Sequence, residues 1–484
     1  MTDLPPLPVD LAGIRLDPAL GLTRALYQAL RARILDGRLA GGSRLPASRD
    51  LAAALGVSRN TVIRAFEQLH AEGYVLGRIG AGTYVAPLGP PTTRTPTVSQ
   101  AAGMPAPGGA AALPPDGPPR AFRVGVPAFD LFPFETWARL SARFWRRPDP
   151  ARLGYGEAAG DRALRELIAA YLRHGRGLQC DPEQIVITCG AQQGIALCAH
   201  LLARPGEPVA MENPGYPAAA RAFAMAGARL VGVPVDADGL DTAALARAGD
   251  CRVVYLTPSH QYPTGVTLSL ARRLELLDWA VRRDGWIVED DYDGEYRYRG
   301  TPLAPLAALD RHGRVIYVGT FCKIAFPALR LGYLVLPPGL AARFAERRAL
   351  EMRHSEIGTQ AVMAEFIAGG HFQRHIRRMR RAARARRDAL LAGLPAVLPA
   401  GIALPPVDAG LHLCLRLAEP AREQALVQAA ASVGVELNPL SRYWLPGEPP
   451  AAARAGLVLG FAAVPEPAIE RALAALRDAW RPFR

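Results

Sequence analysis

Gly319-Thr320-Phe321-Cys322-Lys323, with Arg330 seven residues further on in Ala328-Leu329-Arg330-Leu331-Gly332-Tyr333, is the stretch from which the rest of the chain is read. Lys323 is the single lysine among 57 Lys and Arg residues. A guanidinium stays protonated at any working pH, whereas a desolvated amine can lose its proton and attack a carbonyl. A chain that has replaced every other lysine and kept this one points to chemistry that needs an amine there.

Lys323 follows an apolar run, Val315-Ile316-Tyr317-Val318. Four similar runs precede it, at Ile185 to Thr188, Pro208 to Met211, Arg252 to Leu256 and Trp286 to Glu289. Continuous apolar strands suit a sheet buried on both faces. Here they alternate with Ala/Leu/Arg-rich helical patterns, so the expected fold class is α/β. The strand ends carry polar and aromatic groups. Thr188-Cys189-Gly190-Ala191-Gln192-Gln193 opens a helix whose amides can cradle a phosphate. Glu212-Asn213-Pro214-Gly215-Tyr216-Pro217 delivers an aromatic face, and Glu289-Asp290-Asp291-Tyr292 puts carboxylates at the sheet's edge. Phosphate cradle, ring platform, carboxylate and amine are the parts that pyridoxal phosphate requires, with the lysine forming a Schiff base.

The N-terminal part follows a different pattern. Leu22, Leu26, Leu30 and Ile34 recur at helical spacing until Gly37. Arg44 to Leu55 then reads as a helix with Leu51 and Leu55 inward, followed by a Gly56 turn. Ser58 is the N-cap of a further helix burying Val62, Phe66 and Leu69. Two helices joined by a short Gly turn make a helix-turn-helix, and Tyr74 to Val85 reads as a two-stranded wing turning at Gly80 to Gly82. In that motif the start of the second helix meets bases and phosphates; here it carries Ser58, Arg59, Asn60 and Thr61.

Length and composition frame these two parts. A chain of 484 residues suggests two or three domains. Pro, Gly, Ala and Thr dominate residues 87–120, the signature of a flexible linker. The domains expected are therefore 20–86, the linker 87–120, and 121–484. The net charge of +13 favours a polyanionic partner. Six scattered cysteines without a C-x-x-C pair argue against a disulfide framework or a metal site. With no basic-then-apolar leader and no long apolar run, a cytoplasmic protein away from membranes is expected.

The run L-P-x-S-R-x-L-A-x-x-L-G-V-S-R-x-T-V resembles the GntR-type winged helix of bacterial repressors. That resemblance implies DNA contacts from Arg49, Ser58, Arg59, Asn60, Thr61, Arg64 and Gly80. The order of parts in the large domain resembles fold type I aminotransferases, and the two together resemble the MocR/GabR regulators. Carried across, Lys323 is the internal aldimine lysine and Asp290 the partner of the pyridine nitrogen. Tyr292 faces the ring's phenol oxygen and Tyr216 stacks on the ring, while Gly190, Ala191, Gln192, Thr320 and Arg330 hold the phosphate. Tyr155 matches the residue that reaches the phosphate from a partner subunit, which implies a homodimer.

There are three departures from the aminotransferase pattern. Tyr262 stands where enzymes have Asn before Pro-x-Gly, Val458 stands where they carry an Arg for the substrate carboxylate, and Cys322 stands beside the lysine where Ser is commoner. Arg442 is the substitute candidate for effector binding. The Arg-rich stretch His371 to Arg387 reads as a solvated helix face, with a second contact to DNA phosphates as the alternative. The resemblance therefore implies a regulator that binds an operator and senses an amine or amino acid through external aldimine formation. The rivals are a working aminotransferase that also touches DNA and a regulator sensing pyridoxal phosphate itself.

Overall fold

A computed structural model describes residues 11, 13–78, 82–87, 117–300, 303–446 and 454–483, and the chain divides into two compact units on either side of Ala110 and Ala111. In the first unit, α1 (Leu22–Leu35), α2 (Ser48–Leu55) and α3 (Arg59–Ala71) precede an antiparallel pair, β1 (Val75–Arg78) and β2 (Gly82–Val85). Gly56, in the left-handed region at φ 65, ends α2. Ser58 then caps α3, its Oγ accepting from the Thr61 amide at 3.1 Å. Leu26, Leu30, Ile34, Leu51, Val62 and Leu69 form the core. Leu22, expected inward, is 50% exposed, because as the first residue of α1 it lies a turn short of that core. Leu55 and Phe66 are only partly buried.

The second unit begins with α4 (Phe134–Arg146) and α5 (Arg162–Arg176). It continues β3 (Ile185–Thr188), α6 (Ala191–Leu202), β4 (Pro208–Asn213), α7 (Pro217–Met225), β5 (Arg229–Asp236), β6 (Gly239–Leu240), α8 (Thr242–Arg247), β7 (Val253–Leu256), α9 (Leu270–Arg282), β8 (Trp286–Asp291), β9 (Val315–Thr320) and β10 (Gly332–Val335). These strands form one sheet in the order β3-β10-β9-β8-β7-β4-β5-β6, with β10 and β6 antiparallel to their neighbours. Period-2 alternation sends successive side chains of the strands to the two faces of the sheet. Val186, Met211, Tyr255, Val288, Val318 and Leu334 face α6 and α7, while Val254, Leu256 and Ile287 face the other side with Trp279 of α9. Each fully buried Val, Ile or Leu contributes about 1.5–3 kcal/mol, and such rows explain why the strands read as unbroken apolar runs.

Further helices α10 (Ala341–Met352), α11 (Ile357–Ala368) and α12 (His371–Gly393) lead to a second sheet, followed by its closing helix. The elements are β11 (His412–Arg416), α13 (Pro420–Ser432), β12 (Asn438–Pro439), β13 (Gly456–Gly460) and α14 (Glu466–Ala479), with strand order β11-β13-β12. Three arginines of α12 face the protein. Arg386 pairs with Asp130 and donates to the Ala462 carbonyl, Arg380 donates to the Glu295 carbonyl, and Arg387 lies over the Tyr298 ring. These three fasten one side of the helix to its neighbours, while Arg374, Arg377, Arg378, Arg381 and Arg384 are exposed along the other, the solvated helix face expected from the sequence. Among the described residues no helix is long and apolar enough to cross a membrane.

Gly332 shows how tightly the sheet closes at β10. A Cβ there would lie 2.9–3.0 Å from backbone atoms of Gly190, Gly319 and Ala191. Backbone cannot swing aside as a side chain can, so Gly332→Ala is expected to destabilise the unit by about 1–3 kcal/mol. Urea denaturation of the two proteins measures this, and an unchanged midpoint contradicts it.

Candidate functional site

At the carboxyl edge of the large sheet, β3 ends at Thr188, β4 at Asn213, β7 at Leu256, β8 at Asp291 and β9 at Thr320, while β10 starts there at Gly332. Open α/β sheets bind ligands in the crevice at this edge. The carboxylates expected beyond a strand are in fact its last residues, because β8 runs on through Asp291. Alternation sends Asp290 to one face and Glu289 and Asp291 to the other.

Hydrogen bonds distinguish the three. Glu289 accepts from the amides of Leu306 and Ala307 at 2.7 and 2.8 Å. Asp291 pairs with buried Arg176 at 2.5 Å and accepts from the Tyr317 hydroxyl at 2.8 Å. Asp290 accepts from the Tyr255 hydroxyl at 2.6 Å through Oδ2, but its Oδ1 is buried without a partner. Asp291 also has an unfilled oxygen, yet its charge is met by Arg176. Burial, with Asp291 and Asp293 adding to it, pushes the Asp290 carboxyl up to about 7. A buried unsatisfied polar atom costs about 1–3 kcal/mol, so Oδ1 marks where a donor from a ligand fits.

Lys323 lies on the turn after β9, its Nζ donating to the Gly125 carbonyl at 2.7 Å. Burial lowers its pKa, opposed by Cys322, Asp293 and Asp290. Tyr216 precedes α7, and burial, with Asp290 adding to it, pushes its phenol up to about 12 while Arg330 opposes the shift. One electrostatic neighbourhood therefore joins Tyr216, Asp290 and Arg330. Gly190, at φ 77, precedes α6, and a Cβ there would come 3.4 Å from the Arg330 guanidinium. Arg330, itself at φ 50, donates to the Cys189 carbonyl at 2.8 Å. The free amides at Ala191 and Gln192 and this guanidinium make an anion cradle. Thr320 Oγ1 accepts from the Cys322 amide at 3.2 Å and keeps its own hydrogen to donate.

Other expected residues lie further out. Tyr155 is 86% exposed, with Arg353 over its ring, and does not enter the site within one chain. Arg442 is exposed on the turn Leu440–Tyr443, where its charge acts on Tyr262 and Tyr443. Tyr262 is the hub of a ring cluster, edge-on to Tyr216, Tyr292, His412 and Tyr443 at 5.3–5.8 Å. Val458 is fully buried on β13, in a small apolar group with Cys414, Leu440, Tyr443 and partly buried Tyr262. The sequence reading did not pick out Tyr255, nor His260, Asp293 and His412, whose ligand atoms lie within 4.8 Å of one another. The signal for Tyr255 is a buried hydroxyl inside an apolar strand, which requires a partner.

In the first unit Ser58, Arg59, Asn60 and Arg64 are exposed on or beside α3, Thr61 is half-buried, and Arg49 is exposed on α2. Arg59 Nε donates to Ser48 Oγ at 3.4 Å. Gly80 lies outside the described residues.

Residues 122–476 match the family model of class I and II aminotransferases, and residues 22–85 match that of the gntR family of bacterial regulatory proteins. The probable rhizopine catabolism regulatory protein MocR of Rhizobium meliloti is 39% identical over 471 residues, 96% of this chain and 94% of that protein. The chain belongs to the MocR-type regulators. It is a transcription regulator in which a GntR-type DNA-binding domain is fused to an aminotransferase-like domain. The pyridoxine biosynthesis regulator PdxR of Corynebacterium glutamicum is 34% identical, covering 94% of this chain and 95% of that protein. Among solved structures, the α-aminoadipate aminotransferase LysN of Thermus thermophilus, complexed with N-(5'-phosphopyridoxyl)-L-leucine, aligns with a TM-score of 0.69. Its identity is 28%, over 75% of this chain and 92% of that one.

The buried carboxyls predict a pH dependence. Burial pushes Glu212, Glu289 and Asp290 each up to about 7. Each therefore holds its proton in the folded chain where the unfolded chain has lost it. Their contribution to stability falls as pH rises from about 4 towards about 7 and levels off above. In cofactor-free protein, Asp290→Asn removes one such group, so its urea midpoint relative to wild type should be more favourable at about pH 8 than at about pH 5.5. The same difference at both pH values contradicts the assignment.

Proposed function

We propose that the large domain holds pyridoxal phosphate on Lys323 and that a primary amine or amino acid competing for it changes how the winged helices hold operator DNA. The observation that carries this reading is the unpartnered Oδ1 of Asp290 at the same sheet edge as the chain's only lysine. When bound, pyridoxal phosphate supplies a carbonyl carbon that exchanges one amine for another. Lys323, with its pKa lowered by burial, is biased towards the neutral nucleophile. Asp290 Oδ1 accepts the pyridine N–H, and Tyr216 covers the ring face. Tyr292 donates to the phenol oxygen, while Gly190, Ala191, Gln192, Thr320 and Arg330 hold the phosphate. Arg442 meets the acidic end of an amino acid effector.

Tyr155 belongs to the partner's site in a homodimer. Supporting this, Tyr155 is 86% exposed and stands outside its own chain's site. Arg49, Ser58, Arg59, Asn60, Thr61, Arg64 and Gly80 contact the operator, and the protein works beside the chromosome, in the cytoplasm. The domain limits are 20–86 and 121–484, joined by the linker 87–120. Tyr262 and the apolar Val458, at positions where an enzyme has Asn and Arg, favour sensing over turnover.

The full chain loaded with pyridoxal phosphate is expected to absorb visible light and, after borohydride reduction, to carry the label on the Lys323 peptide. Lys323→Ala should trap none, and its operator affinity should ignore amines that shift the wild type. Label trapped by the Ala variant anywhere but at the α-amino terminus contradicts the assignment, since no second lysine exists.

A further inference from the structure

His260, Asp293 and His412 meet behind Tyr292, and no role above uses them. His260 is 3% and Asp293 1% exposed. His260 Nδ1 lies 2.9 Å from the Tyr292 hydroxyl and 3.0 Å from Asp293 Oδ2. The ring is wedged in place. A Cβ at Gly410, which sits at φ 78, would fall 1.9 Å from His260 Cε1, and one at Gly265 would fall 3.3 Å from Nε2. His412 lies against it with ring centres 4.7 Å apart, its Nε2 donating to the Pro263 carbonyl at 3.1 Å. Burial, then His260, pushes the His412 pKa well down, so that ring is neutral. The nitrogens His260 Nδ1 and His412 Nε2 are already committed to hydrogen bonds, which favours a hydrogen-bonded chain over a cation site.

We propose that Asp293 and His260 are positioning residues that aim the Tyr292 hydroxyl hydrogen into the site. The inference rests on the reading above that Tyr292 faces the cofactor's phenol oxygen. A ring nitrogen either donates or accepts. A carboxylate brings no hydrogen, so Nδ1 carries it and shares it between Asp293 and the Tyr292 oxygen. Tyr292 is then an acceptor on this side and has its own hydrogen to give on the other, and hydrogen bonds in series strengthen one another. Without Asp293, Nδ1 is free to present its lone pair; Tyr292 then donates backwards and the site loses its donor. Among the described residues, the other charged or titratable groups around these three are His412 on β11; Lys323 after β9, whose charge acts on His412; Asp290, Glu212 and Tyr262, which act on Tyr292; Tyr296 and Tyr298, on which Asp293 acts; and Arg297, which lines a small cavity with His260 and Asp293.

The test is an absorbance–pH titration of the full chain loaded with pyridoxal phosphate. A donor to the phenol oxygen stabilises the form that has lost the proton shared with the lysine nitrogen, so it lowers the midpoint. Tyr292→Phe should raise the midpoint by about one unit or more. Asp293→Ala should raise it similarly, and the double variant should go no further than Tyr292→Phe alone. His260→Asn, which keeps an N–H donor at that place, should stay near wild type. Should Asp293→Ala not fold, His260→Phe, which removes the same nitrogen, should raise the midpoint in its stead and add nothing to Tyr292→Phe. A wild-type midpoint in Asp293→Ala beside a shifted Tyr292→Phe overturns the proposal, as does a full extra shift in the double variant. An unshifted Tyr292→Phe overturns both the proposal and the placement of Tyr292 at the phenol oxygen on which it rests.

Discussion

The structure of the large domain depends on keeping a carboxylate inside the protein at the end of a central strand. Asp290 is 5% exposed, and its one hydrogen bond comes from Tyr255, on the adjacent strand. An isolated buried carboxylate is costly, and proteins normally meet the cost with an arginine or by keeping the proton. Its neighbours on β8 show the usual solutions: Asp291 has Arg176, and Glu289 has two backbone amides. Asp290 alone is left for something outside the chain to complete, and Lys323, Tyr216 and Arg330 act electrostatically within the same neighbourhood.

Much of this arrangement is legible in the sequence for a physical reason. Strands buried on both faces are written as unbroken apolar runs, so β3, β4, β7, β8 and β9 stand out, and the polar residues that interrupt them mark the sheet's edge. What is not legible follows equally simple physics. β5 is partly exposed and contains Gly232 and Pro234, which dilute the strand pattern. β10 is four residues long and opens with a glycine, although it joins the edge strand β3 to the rest of the sheet. Which of Glu289, Asp290 and Asp291 faces the ligand depends on alternation and on partners supplied from elsewhere. Arg176 and Tyr317 reach Asp291 from α5 and β9, and no local motif announces either. His260, Asp293 and His412 likewise become a group only when β11 folds beside the loops after β7 and β8.

Two of the three departures from an aminotransferase, Tyr262 and Val458, share one small apolar group. Tyr262 gathers four rings, and Val458 lies buried beneath it beside Tyr443. An apolar and phenolic wall selects by shape and hydroxyl contacts. Under the proposed reading such a wall suits a sensor, which needs to hold its ligand long enough to bias a conformational equilibrium.

That bias has a thermodynamic signature. If an amine at Lys323 changes operator affinity by some factor, saturating operator must change amine affinity by the same factor. The decisive measurement titrates a responsive amine into the loaded full-length protein, following the visible band with and without saturating operator. A change in amine affinity equal to the amine's own effect on operator binding supports one coupled site. An amine affinity indifferent to the operator, with operator binding still sensitive to the amine, contradicts the account.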